Sequence, residues 1–169
     1  MSPLKKGLNN TKNPTSHSSG LSSALGGAEV SLYEIVKAFS VFANDGKLID
    51  FYHCDLLKTE KPKEIFLPDT ARLICSILSN NSERSLGFGY SENFSTPFSS
   101  IFKTGTANQF QNITALASTP LYTIGVWLGN FNGDTVIKKT GSSIPAKIAK
   151  EILIGTQGNI KINFKEPIN

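Results

Sequence analysis

The feature that most constrains this chain is a close succession of three strand-like runs, at residues 99–106, 112–118 and 121–130. The link Ser118-Thr119-Pro120 is short enough to join the second and third as a hairpin. In the third run Tyr122, Ile124, Val126 and Leu128 fall on one face, and Thr123, Gly125, Trp127 and Gly129 on the other. Small residues on that second face let another element approach closely. An antiparallel sheet with one face open to a packed helix is the expected outcome.

Helical signals flank the strands. Ser31-Leu32-Tyr33-Glu34 fits a capping box, and Leu32, Ile35, Val36, Phe39 and Phe42 recur at helical spacing. Asn44-Asp45-Gly46 ends that pattern, which predicts a helix over 31–44. Residues 47–52 read as a short strand, and residues 59–63, with Pro62, as a loop. Pro68-Asp69 opens a second helix whose apolar face is Leu73, Ile74, Ile77 and Leu78, stopped by Asn80-Asn81. Residues 82–98 are irregular and rich in serine. A last helix is expected over 143–154, capped by Ser142 or Ser143, with Pro145 in its first turn and Gly155 past its end. Helices, then antiparallel strands, then a helix describe an α+β fold.

The remaining composition narrows the function classes. Charged residues make up 18% of 169, so most of the chain is no disordered polyelectrolyte. The net charge of +4 is spread along the sequence without a run of five like charges, so nothing points to nucleic acid. No apolar stretch approaches the ~18 residues of a membrane span. Residues 1–20 are rich in Ser, Asn, Thr and Lys and carry no apolar run after Lys5 and Lys6. They read as a flexible lead-in without a secretory signal, which would leave the chain in the cytoplasm unless exported by other means. His53, Cys54 and Cys75 offer three ligands at a spacing that matches no zinc motif, so they are expected to be ordinary loop and helix residues. Trp127 is expected in the core, and Phe94 and Phe98 are candidates to pack under the first strand.

The chemistry concentrates in Lys103-Thr104-Gly105-Thr106, at the end of the first strand. Lysine supplies a cation, two hydroxyls supply donors, and glycine lets a substrate backbone come close. A strand edge beside them can hydrogen-bond an extended peptide. Four residues are weak evidence by themselves, and a strand ending in a polar turn explains them equally well.

Their surroundings shift that balance. The stretch Leu21-Ser-Ser-Ala-Leu-Gly-Gly-Ala-Glu-Val-Ser-Leu32 resembles a segment of class A penicillin-binding proteins, of the 1C type. Ala38-Phe39 and Ala43-Asn44-Asp45-Gly46 are similar to the end of the helix that follows it in that family. Ile77-Leu78-Ser79, Arg84 and Phe88-Gly89 resemble the stretch before its K-T-G strand, and residues 121–130, LYTIGVWLGN, the strand after it. The resemblance covers 21 to about 155. K-T-G is a known motif of such serine enzymes.

The resemblance implies part of a D,D-transpeptidase domain of the penicillin-binding-protein and β-lactamase type, with a three-stranded antiparallel meander and flanking helices. Such enzymes cross-link peptidoglycan stem peptides through a serine acyl-enzyme that β-lactams also form, at the periplasmic face of the inner membrane. Carried over, Lys103 orders the proton network and supplies positive potential. Thr104 and Thr106 bind the substrate carboxylate, Gly105 admits the substrate backbone, and the Thr106 N–H is one oxyanion donor. The expected partners are a stem peptide or β-lactam; no cofactor and no metal is called for.

Acyl transfer also needs a nucleophile with a base beside it. The family supplies them as S-x-x-K and S-x-N, both before the segment that starts here at Leu21. The expected organisation is therefore a flexible segment 1–20, the C-terminal half of a transpeptidase domain over 21–155, and a tail over 156–169. Ser2-Pro3-Leu4-Lys5 and Ser79-Asn80-Asn81 spell the two motifs, but the first sits in a polar tail and the second at a helix end, too close before Lys103. The family's Arg-Asp-Ala-Trp after K-T-G is replaced by Gln111-Asn112-Ile113-Thr114 and Ala117. Three readings stay open: an inactive fragment, half of a split enzyme completed by another chain along the open edge of the third strand, or a non-catalytic module that binds peptidoglycan peptide. As a half-domain the chain is expected to be marginally stable alone.

Overall fold

The computed structural model describes residues 30–50, 61–79, 92–107, 110–136 and 144–168. The predicted motif matches at Ser2–Lys5 and Asn80-Asn81, the His53-Cys54 pair, the serine-rich residues 82–91 and the caps at Ser142 and Ser143 lie outside them. The elements run α1 (Leu32–Ala43), β1 (Lys47–Leu48), β2 (Lys63–Glu64), α2 (Pro68–Ser79), a 3-10 turn (Glu92–Phe94), β3 (Ile101–Thr106), β4 (Asn112–Ser118), β5 (Thr123–Gly129) and α3 (Ile144–Gln157). The architecture is α+β, as expected.

β3, β4 and β5 form the predicted antiparallel meander in that order. Ile101 faces Ser118 and Thr106 faces Ile113; Asn112 faces Gly129 and Ser118 faces Thr123. β5 starts at Thr123 rather than 121. The Thr119 hydroxyl accepts the amide hydrogens of Leu121 and Tyr122, at 3.2 and 3.1 Å, and holds those residues in the turn. The Ser118 hydroxyl reaches Thr123 Oγ1 at 2.8 Å across the same turn.

Each face of the sheet carries its own core. Phe102, Ala115 and Ala117 meet Ala146, Ala149 and Leu153 of α3, with Phe94 and Phe98 beside them. Phe94 packs edge-on to Phe102 at 5.5 Å, so both phenylalanines lie under β3 as the sequence suggested. On the opposite face Ile101 and Leu116 meet Phe39 of α1 and Cys75 of α2. Here the small residues of β5 fulfil their expected purpose. A Cβ on Gly125 would lie 2.2 Å from Val36 Cγ2 and 3.0 Å from Leu32 Cδ1, so only glycine admits α1 this close.

α1 begins and ends within a residue of the prediction. Asp45 and Gly46 both take positive φ, 53° and 83°, beyond its end. A Cβ on Gly46 would meet the Phe66 carbonyl oxygen at 2.1 Å. That approach lets the Gly46 carbonyl accept the Ile65 and Phe66 amides and start the β1–β2 pairing. Lys63, expected in a loop, is therefore a strand residue. The α2 face also needs correction: Ala71 and Cys75 are its buried residues, Leu73 and Ile77 are half exposed, and Leu78 packs at the margin. A narrow contact with α1 selects small side chains over large ones.

α3 outruns its predicted end by a turn. Gly155 is helical; Gly158, at φ 59°, ends the helix by donating its N–H to the Ile154 carbonyl. The segment that follows returns to α1 and α2. Phe164 packs on the second core, Lys165 pairs with Asp45, and the Ile168 N–H reaches Asp69 Oδ1 at 3.3 Å.

Candidate functional site

The two ends of β3 differ in kind. Ile101 and Phe102 are buried, whereas Lys103, Gly105 and Thr106 are exposed and Thr104 half-buried. Alternation sends Lys103 and Gly105 to the face that carries α1, with Leu116 and Thr114 as cross-strand partners. Thr104 and Thr106 fall on the α3 face. Among the described residues no strand pairs with the outer edge of β3, so both sets border one open edge. Lys103 Nζ donates to the Thr104 carbonyl at 2.9 Å, which holds the ammonium along that edge. A Cβ on Gly105 would meet nothing within 4 Å, so the surface above it is open. A cation, two hydroxyls and a backbone edge with which no strand pairs among the described residues together suit an extended chain that ends in an anion.

The turn after β3 fixes the end of this edge. The Ala107 N–H donates to the Asn112 carbonyl at 2.8 Å, and Phe110 adopts φ 56° and accepts the Val136 N–H at 2.9 Å. The second serine candidate is placed as expected: Ser79 ends α2, and its hydroxyl donates to the Ser76 carbonyl at 3.1 Å. Cys75 is buried, its thiol donates to the Phe42 carbonyl at 3.4 Å, and burial pushes it up to about 11. That makes it a packed residue with little thiolate near neutral pH. Among the described residues no group of His, Cys, Asp and Glu is arranged to hold a metal.

Trp127 departs from the expectation of a core residue. It is half-buried at the exposed end of β5, and its Nε1 donates to Asn112 Oδ1 at 2.9 Å. The opposite end of the sheet holds a cleft of about 350 Å³ between the α1 terminus, Arg72, Pro120 and the returning segment 162–165. Asp45 sits in its wall. The Arg72 guanidinium, with Nε 3.1 Å away, and then the Lys165 ammonium hold that carboxyl below its usual range, against a smaller opposing effect of burial. These charges satisfy one another and brace the fold.

The pattern of the penicillin binding protein transpeptidase domain matches residues 4–153. The chain belongs to that family. Among solved structures the transpeptidase fold recurs in penicillin-binding protein 1A from Haemophilus influenzae, at TM-score 0.70 and 17% identity over 86% of this chain and 29% of that one. It recurs in a peptidoglycan glycosyltransferase from Burkholderia ambifaria, at TM-score 0.53 and 21% identity over 79% of this chain and 43% of that one. At these identities the likeness shows the fold, and the chain spans less than half of either structure. No curated protein matches by sequence. The Lys-Thr-Gly of β3 lies at a strand edge with which no strand pairs among the described residues. The same three residues recur at Lys139-Thr140-Gly141, outside the described residues and missed by the sequence reading, so the string alone does not mark a site. Among the described residues no helix is long and apolar enough to cross a membrane.

Proposed function

We propose that this chain is the peptide-binding part of a D,D-transpeptidase that cross-links peptidoglycan stem peptides. The observation that carries the reading is the exposed edge of β3, with no strand paired to it among the described residues and Lys103 along it. In this reading Lys103 supplies positive potential to the reacting centre and Thr104 and Thr106 bind the terminal carboxylate of the peptide. Gly105 admits the peptide backbone, and the Thr106 N–H points to the developing oxyanion. A β-lactam presents a similar carboxylate and carbonyl to the same edge.

The acyl-enzyme step needs a serine and a base that the Lys103 edge does not itself supply. In this reading the chain does not carry them and is inactive by itself, either as a fragment or as half of an enzyme that another polypeptide completes. Labelled penicillin, followed by intact mass with and without lysate from the source cell, tests this. The expected result is no covalent adduct on the purified chain. An adduct on the chain alone would overturn the assignment, with Ser2 the first residue to examine. An adduct on a partner that co-purifies would identify the chain as half of a split enzyme.

A further inference from the structure

The Lys103 edge has an aromatic neighbour on the same sheet face. Gly105 pairs with Thr114 and Thr114 with Trp127, so these three form one cross-strand row. Two strand spacings separate Gly105 from Trp127, roughly 10 Å. The indole is built into place. Its six-membered ring lies over Gly129, where a Cβ would come within 2.3 Å of Cζ2, and its Nε1 is tied to Asn112.

Phe131 leans against this ring at 5.5 Å between centroids, tilted by 42°, and is itself fully exposed. Its exposure is enforced by the turn that carries it. The Gly133 N–H donates to the Asn130 carbonyl at 3.0 Å. Asn130 Nδ2 donates to the Asp134 carbonyl at 3.2 Å, and Asn132 both donates to Asp134 Oδ2 at 2.6 Å and accepts the Asp134 N–H at 3.2 Å. A large apolar ring held out in water by a hydrogen-bonded turn, beside a second fixed ring, is an arrangement that favours a ligand.

The chemistry of the surroundings selects the ligand. The nearby side chains are amides: Asn112 under the indole, and Asn130 and Asn132 on either side of Phe131 in the chain. The one charge in the turn, Asp134, is occupied by Asn132. Two aromatic rings set at an angle, with an amide rim and with no unengaged charge in the turn among the described residues, suit an uncharged N-acetylated pyranose, whose C–H face meets the negative face of an aromatic ring while its polar substituents meet the amides.

We infer that Trp127 and Phe131 form a sugar-stacking subsite that seats the glycan carrying the stem peptide, beside the Lys103 edge. This deepens the proposed function and rests on it for the identity of the natural ligand. The single tryptophan of the chain is the reporter. Its emission is followed while a tetramer of β-1,4-linked N-acetylglucosamine is added, and separately a sugar-free pentapeptide ending in D-Ala-D-Ala. The expected result is a saturable change with the tetramer, weakened about tenfold in Phe131→Ala, and little change with the peptide. No response to the tetramer, or a response unaltered in Phe131→Ala, would overturn the subsite. So would an emission change with the peptide alone, or a chain dimer that Phe131→Ala dissolves while the sugar has no effect. Peptide binding measured calorimetrically in Lys103→Ala reports on the Lys103 edge separately, so failure of one reading is distinguishable from failure of the other.

Discussion

The three-stranded sheet has a closed end and an open end. At the closed end Ile101, Ser118 and Thr119 are buried, the β4–β5 turn is tied by side-chain hydroxyls, and the returning C-terminal segment pairs Lys165 with Asp45. At the open end β3 presents Lys103, Gly105 and Thr106 to solvent, Trp127 of β5 is half-buried, and Phe131 in the turn after β5 is fully exposed. One strand, β3, runs through both within six residues. The contrast teaches that packing and exposure are divided along the strands: the closed end anchors a backbone edge that the open end exposes, which is where the proposed binding belongs.

Substitutions at the two ends should separate these properties. Ile101→Ala, which empties a fully buried position, is expected to cost about 2–5 kcal/mol in a denaturant melt. Gly125→Ala, which pushes α1 off the sheet, is expected to cost about 1–3 kcal/mol in the same melt. An unchanged midpoint for Ile101→Ala would break the account of the closed end, and one for Gly125→Ala the account of how α1 packs on the sheet.

Acid should loosen the closed end selectively. The Asp45 carboxyl titrates below its unfolded value because Arg72 and then Lys165 favour its charged form. Its contribution is therefore present above about pH 4 and is lost as the pH falls through the lower folded value. Asn tolerates the positive φ at this position, so Asp45→Asn removes the charge without new backbone strain. The variant should melt lower than the parent at neutral pH, and the gap should close on acidification. A gap independent of pH would show that the ion pairs contribute nothing there.

The smallest effects on stability belong to the open end. Lys103→Ala should move the melt by no more than about 0.5 kcal/mol, because the side chain is exposed and its ammonium bonds a neighbouring carbonyl at the surface. Cys75, raised to about 11 and buried, should stay unmodified by iodoacetamide at pH 8 in the native chain and react once it is unfolded.

Much of this division is legible in the sequence, though unevenly. Alternation in β5 located the face that receives α1, because a sheet residue's side is fixed by its parity. Pro68-Asp69 and the Asn44-Asp45-Gly46 stop placed helix boundaries through backbone chemistry that acts locally. Long-range choices were hidden. Periodicity offered Leu73 and Ile77 for the α2 face, but close contact with α1 selected Ala71 and Cys75. Gly155 and Gly158 are equally able to end α3, and the left-handed turn forms at Gly158, after the buried Gln157. Residues 160–168 carry no strong local signal, and their return to Asp45 and Asp69 depends on partners over 90 positions away. At the site, the Lys-Thr-Gly string was visible, but its second copy at 139–141 shows that the string alone does not mark a site. Trp127 read as core because an indole is large and apolar; Asn112 and Gly129, which bring it to the surface, are neighbours only in the folded sheet.

The central claim is that the open edge of β3 binds a carboxylate-ended peptide. Calorimetric titration of the wild-type chain and of Lys103→Ala with an N-acylated peptide ending in D-Ala-D-Ala tests it most directly. The account predicts saturable binding that weakens at least about tenfold in the variant, the ~1.4 kcal/mol of one charge-assisted contact, while the two melts coincide. Equal binding by both chains, or none by the wild type, would contradict it.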